Sequence, residues 1–571
     1  MQPRQVARSI GSGRWFLAGA WMLTTGLVIL WVTTTPNGVL RDQLRRWQFW
    51  ALEMQFWLLV ALSCLSMPSF LQSLEVTRRD ARIAVIAAVM AFVIATVVAP
   101  KTNRIYYDEQ IYQSIGQNLT DLRLAQMCND GTLEYGSLQC WRGEYNKQPY
   151  GYPYVLSLAY RVFGARDGIA STLNTVIVAC IVLVVFLLAT ALTGSSRAGA
   201  YASVIGALIP EQLRWGHAAS AEPSAALCCA FAVLAAVAFV RLRSTAALLW
   251  TVVACAFAVQ FRPECVLVVP MTALIFVIYA RDELSTDRLW WVAVIGVLLI
   301  TVHIGHMVAV RNEGWGTSGD RLSTVYIINN LRTNGWFYLA DARFPFVYSL
   351  LGLAAVALWR RREMVVMAAY FLLFWGMFLC FYAGSYNYGA DDRFSLMTYP
   401  PLAIAAGIGS WRVGEVLGRR FHAMRAATVI IAALVAQFLC YLPFVRATGE
   451  EAWAARADVA FAHAVVRDLP RNSIVLTHNP NMFHLWGQNA SQVSIAVSEQ
   501  GYAENVLVPR YAGGVFFHWN FWCDVADPTQ QAFCRMVLER FPHSLVREYY
   551  ERDYRYAIYR LDLPARHQPA P

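Results

Sequence analysis

Lysine is almost missing from this 571-residue chain, with only Lys101 and Lys147 among 47 basic residues. Charge of either sign is scarce as well, at 15% of residues against 57% hydrophobic. A water-soluble chain of this length needs a polar shell around each domain, and such a composition cannot supply one. No internal repeat and no low-complexity segment is present. A cleavable leader is not evident either: the run 15–34 lacks a small-residue cleavage site, is long enough to span, and reads as an anchor. The formal charge of +10 would suggest nucleic acid in a soluble protein. Here the arginines fall in short gaps between apolar runs, where membrane topology places them, so no nucleic-acid partner is expected.

What the chain does contain is hydrocarbon. About thirteen candidate spans lie near 15–34, 49–67, 82–99, 168–193, 198–213, 222–241, 246–261, 264–280, 289–310, 345–359, 363–383, 395–410 and 426–443. Numbering the gaps alternately separates two sets. One holds Arg4, Arg8, Arg14, Arg78, Arg79, Arg82, Arg197, Arg241, Arg243, Arg281, Arg288, Arg360, Arg361, Arg362, Arg412, Arg419, Arg420 and Arg425, and by the positive-inside rule it faces the cytoplasm. Arg41, Arg45 and Arg46 are the exception, as in an interfacial helix. The other set, expected outside, holds the loop 100–167, the gap 211–222, the loops 311–344 and 382–393, and the tail beyond 443. Cysteine placement agrees. Cys128 and Cys140 share the first large outer loop and Cys523 and Cys534 share the tail, at spacings that permit disulfides in an oxidising compartment. The other cysteines lie in or beside apolar runs and read as packing.

The tail changes character. Helical periodicity in "EAWAARADVAFAHAVVRDLP" precedes the strand-like runs "SIVLTHNP", "QVSIAVS", "GGVFFHWNFWC" and "YRYAIYRL". Helices alternating with short strands indicate a small α/β domain. The expected division is a helical membrane domain over 1–443, including the outer loop 100–167, and an extracytoplasmic α/β domain over 444–571. The aromatic stretch reads as packing, with the domain shaping acceptor access.

Two acids, Asp108 and Glu109, follow directly on the run 82–99 in "RIYYDEQIYQSIGQNL". Capping and solvating a helix is the ordinary role for such residues, but charges this close to a bilayer are costly and tend to be functional. The same loop ends in "YNKQPYGYPYVLSLAYRVFG", and the last outer gap reads "GADDRFSLMTYPPLAIAAG".

The order of these motifs is an acid pair after an early span, then K-x-P-x-x-Y-P, then R-[YF] followed by P-P and G at a late span. It resembles the polyprenyl-phosphate-sugar glycosyltransferases of the GT-C fold, nearest their protein O-mannosyltransferase and aminoarabinose-transferase branch. The resemblance covers most of residues 80–410. It implies a polytopic α-helical membrane protein with the acid pair in the first large extracytoplasmic loop. Arg393, Phe394, Pro400 and Pro401 stand for the late motif, and Glu222 for the acid of the second outer loop. Two departures are visible. Lys147, Gln148 and Pro149 stand where the aminoarabinose branch has lysine and two prolines, and two spans, not one, precede the acid-bearing span.

The resemblance makes a polyprenyl-phosphate sugar the donor and a glycan, lipid or protein hydroxyl the acceptor. The acceptor must lose a proton, which a carboxylate within about 3 Å can take. The departing phosphate needs cations beside it. Arg393, with a planar fork, and Lys147, as a point charge, suit that task. Asp108 is the expected base and Glu109 its support or the group that orients the acceptor, with inversion at the sugar carbon. Tyr107, Tyr112, Tyr150, Glu222 and His217 are the expected substrate contacts. Neighbouring acids on a helix diverge by about 100°, so the pair is not expected to share a proton. No cofactor is expected, although a divalent ion at the acids is left open because some GT-C enzymes are metal-dependent; no compact set of hard oxygen ligands is recognisable. Asp391 and Asp392 read as ion-pair partners of Arg393, "FRPE" at 261–264 as an interfacial pair with donor contact as the lesser reading, and His303 and His306 as packing or pore-lining polarity. The sequons at Asn118 and Asn489 are weak signals. A transporter or flippase is the rival from another class, but the two related halves typical of transporters are not found. A polymer ligase or an inactive scaffold would keep the fold. The expected location is the bacterial inner membrane.

Overall fold

The computed structural model describes residues 3–313, 319–387, 389–420, 423–525 and 527–563, and the chain divides into two compact units. One comprises residues 1–101, 147–152 and 171–448; the other comprises 102–146, 153–170 and 449–571. The outer loop, expected with the membrane domain, is therefore grouped largely with the tail.

Among the described residues, seven helices are long and apolar enough to cross a membrane: Trp15–Thr34, Asn37–Gln72, Arg78–Val97, Asp167–Thr193, Glu222–Leu242, Asp287–Ala309 and Arg362–Leu379. Shorter apolar helices cover Thr245–Ala258, Pro263–Tyr279, Phe346–Leu358 and Ala426–Leu439. Their starts carry capping chemistry. The Thr77 side chain accepts from Asp80 N, and the Ser244 side chain from Ala247 N, which satisfies amides that have no partner inside the helix.

Packing in the membrane unit relies on small residues and buried amides. The helix Tyr399–Arg420 lies against Ser196–Ala207 and Phe346–Leu358. A Cβ on Gly407 would stand 2.5 Å from Ala202 N, and one on Gly409 would stand 1.9 Å from Leu351 O. Only glycine allows these backbones to approach so closely, the usual means of joining helices where lipid removes the hydrophobic drive. Gln48 donates to Gln260 Oε1 at 3.0 Å and Gln55 to the Leu299 carbonyl at 2.6 Å, which supplies internal partners for polar groups. Arg393 lies in the 3-10 segment Gly389–Thr398 that runs directly into this wedged helix, so the packing constrains its position.

The other unit is built on a seven-stranded sheet of β1 (Met127–Glu134), β2 (Ser137–Glu144), β3 (Ile474–Thr477), β4 (Asn489–Gln492), β5 (Val515–Trp519), β6 (His543–Glu551) and β7 (Tyr554–Leu561). Their order is β2-β1-β4-β3-β5-β7-β6, with β3 parallel to β4 and β5 and the other pairs antiparallel. Successive residues alternate faces. Ile474, Leu476, Val515 and Phe517 enter one core, while Val475, Phe516, Tyr556 and Ile558 enter the other with Phe461 and Val465. Disulfides join Cys128 to Cys140 across β1 and β2, and Cys523 to Cys534 at the helix Pro528–Arg540.

One expected strand is a helix. In "QVSIAVS" only Gln492 belongs to a strand, and Val493–Ser498 is a helical turn that buries Val493 and Ala496. The alternating apolar letters suggested period two, but the buried pair is spaced three apart, as on one helix face.

Candidate active site

In the membrane unit, acids hold the arginine expected to bind phosphate. Glu222 stands in the first turn of Glu222–Leu242, where a carboxylate suits the positive end of the helix. It is 1% exposed, and its Oε1 accepts from Arg262 Nη1 at 2.5 Å and from Arg393 Nε at 2.8 Å. Glu264 takes the Nε of Arg262. Arg393 Nη1 donates to the Ala390 carbonyl at 3.0 Å and lies 3.4 Å from Asp391. Both guanidiniums lie over the Phe394 ring, at 5.0 and 4.6 Å from its centre, and Phe394 stacks on Phe378 at 4.7 Å. Two cations that would repel each other are thus fixed side by side through one carboxylate and one ring. The sequence singled out "FRPE" as an interfacial charge pair; the structure shows that pair and adds the bond from Arg262 to Glu222.

Burial pushes the Asp391 carboxyl up to about 6; Arg393 opposes the shift and Asp392 adds to it. Asp392 itself turns away, contrary to its expected pairing with Arg393. Its Oδ1 accepts from Trp215 Nε1 at 3.3 Å, and its Oδ2 lies 3.7 Å from both Arg214 and Arg343. The segment Gly389–Thr398 is a 3-10 helix, in which consecutive side chains point about 120° apart. The two aspartates therefore serve different arginines. Glu211, fully buried, lies 3.6 Å from Arg214, and Arg343 bonds Asp341 through Nε at 2.9 Å and Nη2 at 2.7 Å. Neither Glu211 nor Arg343 carried a sequence signal.

In the other unit, Asp108 opens the helix Asp108–Asp121 and is half-buried. Glu109 is 2% exposed and accepts the backbone amides of Arg104 at 2.5 Å and Ile105 at 3.2 Å. It closes the turn beneath its neighbour. Tyr106, at φ 48°, supplies the left-handed step that lets the chain fold back. Tyr107 is buried and donates to Asp458, whose other oxygen lies 2.8 Å from His518 Nε2; His518 Nδ1 lies 3.1 Å from Thr477 Oγ1. Burial, reinforced by Asp458, raises the Tyr107 phenol above its usual value and keeps it a neutral donor. Tyr106 and Tyr107 also stack on Phe521, at 6.1 and 5.7 Å. The residue before Asp108 is thereby tied to Trp453–Val466 and β5. Tyr107→Phe leaves the buried Asp458 short of a donor, so a loss of about 1.5–3 kcal/mol is expected. Thermal unfolding of the purified protein checks this, and a loss under about 0.5 kcal/mol would contradict the network's role.

The remaining expected contacts are placed as follows. His217, 9% exposed, bonds the Ala99 carbonyl at 2.7 Å through Nδ1. Tyr112 and Tyr150 are buried; Tyr150 meets the His306 ring edge-on at 5.5 Å, and that ring bonds the backbone of Lys147, which is half-buried. The structure therefore joins Glu222 to Arg393, Lys147 and Tyr150 to His306, and Tyr107 to the turn of the acid pair. Among the described residues, one group of three ligand-type side chains lies within metal-binding distance, His478 with Cys523 and Cys534. The disulfide occupies both of its thiols.

The family described as dolichyl-phosphate-mannose-protein mannosyltransferase matches residues 147–306. No curated protein sequence matches the chain. Among solved structures, the chain is similar to ArnT from Cupriavidus metallidurans bound to undecaprenyl phosphate, with a TM-score of 0.53 and 14% identity over 83% of this chain and 97% of that one. The apo form of ArnT gives the same values. AglB from Archaeoglobus fulgidus, in complex with an inhibitory peptide and a dolichol-phosphate, has a TM-score of 0.49 and 11% identity over 84% of this chain and 74% of that one. The likeness to ArnT shows the fold: a polytopic GT-C membrane protein with an additional α/β unit.

Proposed function

We propose that this chain is an integral membrane glycosyltransferase of the bacterial inner membrane. It takes a hexosyl or pentosyl group from a polyprenyl-phosphate carrier and passes it to a hydroxyl of a glycan, lipid or protein on the extracytoplasmic face. The observation that carries this reading is the pair Arg262 and Arg393 fixed on Glu222, because preorganised guanidiniums are what a departing phosphate needs. The family match over residues 147–306 and the undecaprenyl phosphate bound to ArnT support the donor class.

In this reading Asp108 takes the proton of the acceptor hydroxyl as that oxygen attacks the anomeric carbon. The carbon–oxygen bond to phosphate breaks, its electron pair stays with the phosphate, and polyprenyl phosphate leaves with the added charge. Arg262, Arg393 and Lys147 balance that charge. A single direct displacement inverts the sugar carbon. Glu109, through its two backbone bonds, holds the Asp108 turn in place. No cofactor enters the proposal. Deleting the protein from its native membrane should cause intact polyprenyl-phosphate sugar to accumulate, as read by lipid mass spectrometry. An unchanged lipid pool would contradict the assignment.

Asp391 makes donor binding pH-dependent. Its carboxyl, raised to about 6, is mostly ionised at pH 7.5 and mostly protonated at pH 5.5. Protonation removes a negative charge 3.4 Å from Arg393 Nη1. The KM for donor should therefore fall by about 3- to 10-fold over that interval, while Asp391→Asn should show the low value throughout. A flat wild-type profile would contradict this. For stability the sign is the one for a raised group, with the contribution full below pH 3.8 and lost as pH passes about 6.

A further inference from the structure

A second charged site lies at the other end of the membrane unit. A cleft of about 780 Å³ opens between the starts of Arg78–Val97 and Ser196–Ala207 and the last turns of Tyr399–Arg420. The last helix begins six residues after Arg393, and its residues lining the cleft, Trp411 to Arg419, lie about 18–30 Å along it from Tyr399. The cleft is therefore most of a hydrocarbon thickness along that helix from its Arg393 end, at the end where the arginine-rich gaps lie.

Arg79, Arg197, Arg412 and Arg419 line it, against Asp80 and Glu415. Both acids are engaged. Asp80 accepts from Ser196 Oγ at 2.6 Å, and Glu415 accepts from Arg412 Nη1 at 2.5 Å. Among the described residues no carboxylate pairs with Arg79, Arg197 or Arg419, and the Arg412 Nε is buried without a hydrogen-bond acceptor. The Arg412 guanidinium is held over Trp359 at 3.9 Å and Trp411 at 4.2 Å, with the two indoles 5.2 Å apart. Tryptophan is enriched at headgroup depth in membrane proteins. Topology alone accounts for arginines in inner gaps, but it requires neither a cavity nor the convergence of arginines from three helices upon it. The volume is in the range of small-ligand sites.

We propose that this cleft binds a phosphate-bearing anion at the membrane surface. The headgroup of an anionic phospholipid and free phosphate share the chemistry, and the depth set by Trp359 and Trp411 favours the lipid. The test is thermal unfolding of the full-length protein in uncharged detergent. It compares phosphatidylglycerol micelles with phosphatidylcholine micelles, and sodium phosphate with sodium chloride at equal ionic strength. Phosphatidylglycerol should raise the midpoint by about 3–6 °C over phosphatidylcholine. The double variant Arg79→Gln/Arg197→Gln, altered at two exposed side chains, should lose that rise. A rise of the same size from sodium phosphate, lost in the same variant, supports the site with free phosphate as its source. An equal rise in wild type and variant, or none with either anion, overturns the proposal. Native mass spectrometry of the wild type is independent of how well the variant folds. Phosphatidylglycerol retained at activation energies that strip phosphatidylcholine supports the site, and equal retention overturns it.

Discussion

Asp108→Asn is expected to lower kcat for sugar transfer by about 10²- to 10⁴-fold, the usual worth of a general base. Donor KM should stay within about twofold, because the proposal assigns the phosphate to Arg262, Arg393 and Lys147. Asparagine keeps the shape of the side chain and remains a good residue for the start of a helix. Asp108 is also half-buried, so the unfolding midpoint should barely move. Glu109→Gln provides the contrast. It weakens the acceptor of two backbone amides, so its loss should appear first in stability. Near-native kcat in folded Asp108→Asn protein would remove the proposed base.

Glu222→Ala carries the other large effect. Glu222 is 1% exposed, and its removal strips one partner from two guanidiniums that are each 14% exposed. Breaking a buried ion pair from one side costs about 3–5 kcal/mol, because the charges left behind lack their compensation. Glu222→Gln retains an acceptor oxygen and should cost about 1–2 kcal/mol. Denaturation of the two variants in the same detergent gives the comparison. Equal and small losses would mean that Glu222 does not organise the arginines.

The membrane part could be read early because its signals are local. A long apolar run such as 168–193 declares a span by length alone, and the observed helix is Asp167–Thr193. In the tail, "WAARADVAFAHAVV" has one apolar face and forms the helix Trp453–Val466. The strands that went unseen are those without a buried apolar face. His543–Glu551 is an edge strand whose residues are mostly exposed, so no alternation marks it. Met127–Glu134 pairs with Ser137–Glu144 beside it, but its buried positions are Cys128, Asp130, Gly131 and Thr132, which show no apolar alternation in a short window.

The site divides in the same way. Asp108, Lys147 and Arg393 stood out by position and rarity. Arg262 was visible only as half of the "FRPE" pair, and Asp458 and His518 not at all, because each matters through a partner remote in sequence: Glu222 for Arg262, and Tyr107 for Asp458. The neighbours Asp391 and Asp392 show the limit most plainly. The sequence placed both beside Arg393, and the 3-10 turn sends one of them to Arg214 and Trp215.

The most direct test follows the fate of the donor. Purified protein in proteoliposomes is given a polyprenyl-phosphate sugar, labelled in the sugar, together with a crude acceptor fraction. The account predicts that free polyprenyl phosphate forms in step with sugar transferred to acceptor, and that both stop in Asp108→Asn. Intact donor moving between leaflets, with its bond to phosphate unbroken, would contradict the account and identify a carrier of lipid-linked sugar instead.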